Sequence, residues 1–89
     1  MSDFAYDVPM HTRDALMRYV NDGLEPGGFL TAVLENNLFE AIGRADMINK
    51  HHINDICLYI YNEVPSIAWG SRHAVNEWIA GGGINGRGK

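Results

Sequence analysis

The side chains able to do chemistry in this chain are few and scattered. His51 and His52 are adjacent, and Asp55 follows His51 at the i,i+4 spacing. On a helix that spacing puts an imidazole and a carboxylate on one face, as in metal-binding helices. A zinc centre needs a third and usually a fourth ligand. Cys57 is expected to face the core, while His11 and His73 lie on other elements. A solvated histidine pair with a local hydrogen bond is therefore expected, with no metal and no cofactor. Nucleophilic catalysis finds little support, because no Gly-x-Ser-x-Gly occurs and Ser66 and Ser71 flank a tryptophan in a connector. Ser71 is better employed as a helix cap. Glu35, Glu40, Asp46 and Asp55 are spread along helices at ordinary surface spacings, not paired for acid–base work. An enzyme is not expected.

Two further patterns suggest binding. Pro26-Gly27-Gly28 enters a helix, and glycines there let backbone N–H groups approach a phosphate. The Lys-Ser/Thr of a P-loop is missing and Glu25 is close by, so a tight turn is the simpler reading. Arg44, Lys50 and Arg72 flank the central stretch. If the fold set two of them beside Tyr59, Tyr61 or Trp69, they would grip a nucleotide by charge pairing and stacking. These six residues are the candidate partner or ligand contacts.

The elements that must position them are helical. Asp46 to Val64 is the longest run without Gly or Pro and holds the apolar segment Ile56-Cys57-Leu58-Tyr59-Ile60-Tyr61. Read as one central helix, it stripes Ile53, Ile56, Cys57, Ile60 and Val64 along a buried face. Leu58, Tyr59 and Tyr61 fall outside that stripe, so the second half is apolar nearly all round and needs cover on several sides. Pro65 stops it. Pro9 opens a first helix over about 10–22, with Ala15, Leu16, Tyr19 and Val20 inward and Gly23 as its left-handed end. Shorter helices follow over 29–35 and 38–45, the first burying Phe29, Leu30, Val33 and Leu34. The second presents Leu38, Phe39, Ala41, Ile42 and Ala45, and its Gly43 hints at close packing or a bend. Asn37 and Asp46 are candidate caps, and whether 38–45 runs on into 46–64 is open. Ser71 caps a last helix over 72–80 with Val75, Trp78 and Ile79 inward. Residues 1–8 read as an irregular arm pinned by Phe4 and Tyr6. Residues 81–89, with five glycines, read as a flexible tail whose Arg87 and Lys89 could touch phosphates.

Length allows one small all-α domain over 1–80, about five helices around the central one. A hydrophobic fraction of 46% and a charged fraction of 20% are ordinary for a folded protein. The net charge of −4 and pI near 5.4 argue against a duplex nucleic-acid binder, including a helix-turn-helix. They favour a basic partner and leave room for a small anionic ligand. Cys57 is the sole cysteine, so no internal disulfide forms, which suits a reducing cytoplasm. The first ten residues lack the parts of a signal peptide, and no apolar run reaches the roughly 20 residues of a membrane span.

The segments 11–49 and 58–79 resemble a family of small proteins encoded by bacteriophages and prophages. The likeness rests on Pro26 to Leu30, Ala45-Asp46 with Asn49, Tyr61-Asn62 with Pro65-Ser66, Trp69 to Ser71, and Trp78. It implies an accessory protein acting in the cytoplasm of an infected bacterium and carries over no site residue. The leading expectation is a non-enzymatic protein, self-associating or bound to a host protein, that modulates host defence or metabolism. The alternative is an oligomer that sequesters an anionic signalling nucleotide.

Overall fold

The computed structural model describes residues 6–87. Phe4 of the expected arm, and Lys89, lie outside them. Local chemistry accounts for the first helix, α1 (Met10–Asp22), which begins after Pro9 and ends at Gly23. Gly23 has φ 71° and donates its N–H to the Tyr19 carbonyl, a left-handed end that a side chain would oppose. Then come α2 (Gly28–Leu34) and α3 (Leu38–Arg44), which pack against each other. Asn36, at φ 64°, turns the chain between them, a conformation asparagine tolerates better than most residues. Asn37 precedes α3 without a side-chain capping bond.

The stretch 46–64 divides where the sequence reading has one helix. A short α4 (Met47–Lys50) is capped by Asp46, whose Oδ1 accepts from the Asn49 N–H at 2.7 Å. The chain then turns at His51 and His52 before α5 (Ile53–Glu63) begins. Ala45 is extended (φ −68°, ψ 132°), so α3 does not run on into α4 either. The physical reason lies in Asn49, which is buried and takes a hydrogen bond from the hydroxyl of buried Thr12 on α1. A straight helix through 46–64 would have to give up either that polar anchor or the packing of α5. A 3-10 turn (Ser66–Ala68) and α6 (Arg72–Ala80) follow. Ser71 caps α6 as expected, accepting from the Ala74 N–H at 3.0 Å.

All described regular structure is helical, and the domain is all-α. Its core unites Leu16 and Tyr19 of α1, Leu30 and Leu34 of α2, Ile56, Tyr59 and Ile60 of α5, and Val75 and Trp78 of α6. A fully buried side chain of this size contributes about 1.5–3 kcal/mol. Two aromatic polar groups are satisfied inside: Trp78 Nε1 donates to the Tyr19 carbonyl at 2.9 Å, and the Tyr19 hydroxyl donates to the Ala68 carbonyl at 2.7 Å. These bonds tie α1, α6 and the 3-10 turn to one another.

The described part of the tail is not a loose strand of glycines. It forms α7 (Gly83–Arg87), seated against α1. A Cβ at Gly83 would lie 2.6 Å from the Gly23 nitrogen, and one at Gly23 would lie 2.8 Å from the Gly83 nitrogen. The glycines thus allow two backbones to touch, and the contact offsets the entropy that makes such a tail mobile by itself. Asn85 Nδ2 donates to Asp22 Oδ1 at 2.7 Å across the same junction.

Candidate docking groove

The inward face of α5 is Ile56, Tyr59 and Ile60, rotated from the expected stripe. Tyr59, read as lying outside it, is buried, whereas Cys57 is exposed. This rotation leaves a second stripe, Asn54, Cys57, Leu58 and Tyr61, at spacings of three, one and three along the outer side. Val33 and Asn36 face it from α2 and the turn after it. The connector after α5 closes one end: Trp69 Nε1 donates to the Val64 carbonyl at 3.2 Å, and the Gly70 N–H donates to the Leu34 carbonyl at 2.7 Å. So anchored, the Trp69 ring meets the Tyr61 ring with centroids 5.9 Å apart and planes tilted by 56°.

The result is an apolar groove of about 290 Å³ lined by Val33, Asn36, Asn54, Cys57, Leu58, Ile60, Tyr61 and Trp69. Among the described residues, none that is charged lines it. A smaller cleft of about 70 Å³ shares Val33, Asn36 and Cys57 with the groove and adds Leu38, Ala41 and Ile53. The apolar surface therefore continues onto α3. Of the residues expected to form the buried face of α3, only Ala41 is buried; Phe39 is 87% exposed, and Leu38 and Ile42 are also exposed. Partial desolvation in the groove wall pushes the Cys57 thiol above its ordinary range, which disfavours the thiolate a nucleophile needs.

The candidate cations take another place. Arg44 and Arg72 line one polar cleft of about 500 Å³, together with Glu25, Glu35, Glu40, Asn37 and Asn76. Arg44 Nε lies 2.6 Å from Glu40 Oε2, and Arg72 Nε lies 3.9 Å from Glu35 Oε2. Among the described residues, no aromatic one lines this cleft, and Lys50, at the end of α4, is not part of its wall. Tyr59 is turned into the core, where its ring meets that of Tyr6 edge-on at 5.5 Å. The six candidate contacts thus separate into an aromatic pair, a pair of arginines, a lysine elsewhere and a core residue. Sequence reasoning missed Val33, Asn36, Asn54, Cys57 and Leu58 as groove residues. The signal for the α5 members was present in its all-round apolar second half, whose outer stripe needed a use.

The pairing of His51 with Asp55 is replaced by another. His51 is exposed, while Nδ1 of His52 lies 3.4 Å from Oδ2 of Asp7. His11 Nε2 approaches Asp46 Oδ2 at 3.8 Å. Compared with models of known families, with curated proteins and with solved structures, the chain matches none. No helix among the described residues is long and apolar enough to cross a membrane.

Proposed function

We propose that this protein is a non-enzymatic binding module that docks an apolar segment of a basic protein partner in the groove between α2 and α5. The observation that carries this reading is the Tyr61–Trp69 ring pair at the head of an uncharged apolar groove. Tyr61 is 69% exposed, an unusual use of a large aromatic ring beside a hydrophobic cleft. Tyrosine and tryptophan supply large contact area at small entropic cost and are enriched where partners bind tightly. The net charge of −4 favours a basic partner and opposes pairing of like copies. In the phage setting that the resemblance implies, the partner is a host protein, and the consequence falls on host defence or metabolism.

Sequestration of an anionic nucleotide is supported by Arg44 and Arg72 sharing a cleft. Three glutamates in the same walls, and the lack of a stacking ring among the described lining residues, weigh against it within one chain. The docking reading is tested by affinity capture from bacterial lysate with wild type, Tyr61→Ser, Leu58→Asn and, as a surface control, Ile67→Ser. A partner held by wild type and Ile67→Ser, lost by the two groove variants, and rebound by titration of purified components is the expected result. Capture indifferent to Tyr61 and Leu58 overturns it. A rise in melting temperature with a nucleotide, abolished by Arg44→Ala or Arg72→Ala, would put the second reading in its place.

A further inference from the structure

Outside the linings of the groove and the two clefts, the fold joins three side chains that the sequence does not group. Asp7 precedes α1, whereas His52 and Asp55 stand at the beginning of α5. One ligand atom from each lies within 4.8 Å of the other two. The arrangement is held from both sides. Tyr6, the neighbour of Asp7, sets its ring edge-on against buried Tyr59 and donates its hydroxyl to Glu63 Oε2 at 3.4 Å. That fastens the segment ahead of α1 along α5. On α5 itself, Asp55 follows His52 by three residues, so the two share one face of the first turn. His52 occupies the N-cap position, yet its side chain caps no backbone N–H, and its Nδ1 is instead turned toward Asp7. Its side chain is half-buried, at 27% exposed, whereas that of Asp7 is open to solvent.

We infer that Asp7, His52 and Asp55 form a binding site for a first-row divalent cation of the Zn²⁺, Mn²⁺ or Fe²⁺ kind. Two carboxylates and an imidazole make a mixed oxygen and nitrogen donor set that suits these ions. Mg²⁺, which holds its water and prefers oxygen ligands, suits it less. A dication neutralises the two carboxylates that the fold has brought together, and a bound ion links the chain ahead of α1 to α5. Three protein ligands leave further positions for water or for a donor from another molecule.

Tag-free protein, stripped with a chelator, is titrated calorimetrically with ZnCl₂ and with MnCl₂, and its melting temperature is followed with each ion. One site per chain and a raised melting temperature are expected. Asp7→Asn, His52→Asn and Asp55→Asn each weaken binding by about tenfold or more, while His51→Asn leaves it unchanged. In the wild-type protein, Mn²⁺ broadens the amide resonances around residues 7, 52 and 55 first, a readout that does not depend on any variant folding. The site is overturned by absence of stoichiometric binding up to about 1 mM ion. It is equally overturned if Asp7→Asn and Asp55→Asn bind as wild type, or if the broadening centres on His11 or His73.

Discussion

Cys57 and Tyr61 stand one turn apart on the outer face of α5, and their surroundings set what each can do. Tyr61 is largely exposed, so its replacement by serine removes contact area for a partner while leaving the core intact. Cys57 borders the same groove, where partial desolvation raises its pKa above the ordinary 9.0. Alkylation by iodoacetamide near neutral pH is therefore expected to run slower than for a free cysteine peptide, because the thiolate fraction is smaller. The sign for stability follows from the same shift. Above the ordinary value the unfolded chain releases the proton while the folded chain still holds it, so this thiol lowers stability as pH rises past about 9. Cys57→Ala removes that contribution, and a comparison of the two melting curves between neutral and alkaline pH checks it. Alkylation at the rate of the free peptide would show that the groove does not shield the sulfur.

At the scale of elements, α3 adds no side chain to the main core cluster. It packs on α2, but Leu38, Phe39 and Ile42 remain exposed, and a helix this short has little stability of its own. Gly43 adds to this, since glycine inside a helix costs about 1 kcal/mol relative to alanine. The sequence hints at close packing at Gly43, yet a Cβ there meets nothing within 4 Å and its φ is not positive. Gly43→Ala is accordingly expected to stabilise the protein by about 0.5–1 kcal/mol, measured by urea unfolding. A neutral or destabilising result would mean that α3 changes shape in solution. The seams between elements follow side-chain bonds: Asp46 and Ser71 each begin a helix by accepting a backbone N–H.

The whole molecule has a radius of gyration of 12.1 Å, the value of about 12 Å expected for a close-packed chain of this length. Compactness includes the glycine-rich C-terminal segment, because α7 closes over the junction at Gly23. Removal of residues 81–89 is therefore expected to lower the melting temperature by about 4–8 °C, the shift that corresponds to about 1 kcal/mol in a domain this small. Calorimetry of the truncated chain measures it, and an unchanged melting temperature would show that α7 adds nothing to stability. On the opposite account, in which the tail is mobile, its loss has no effect. The groove belongs to this scale as well, since Val33 from α2, Leu58 and Tyr61 from α5, and Trp69 from the connector form it only together.

The sequence by itself determined the helical class, the single small domain, the bounds of α1 and α6, and the caps at Gly23 and Ser71. These are local matters, decided by propensity, by Pro9 and Pro65, and by side chains that bond within a turn of the backbone. It also showed that α5 is apolar on more than one side. Which side faces inward was decided by the tertiary structure. Helical spacing puts Cys57 on the inner stripe and Tyr59 outside it, yet the larger ring is buried with Leu16, Tyr19 and their neighbours, where it fills more of the space. The same holds for the division at His51 and His52, which depends on a hydrogen bond to Thr12 that lies 37 residues from Asn49. The order of the tail escapes a sequence reading for a related reason. Glycine's entropic cost is visible in a sequence, but the backbone contact that offsets it exists only once Gly23 and Gly83 meet. The candidate contacts were recognisable by residue type. Their separation into an aromatic groove and a charged cleft was not, because proximity across α2, α5 and α6 is a property of packing and not of spacing.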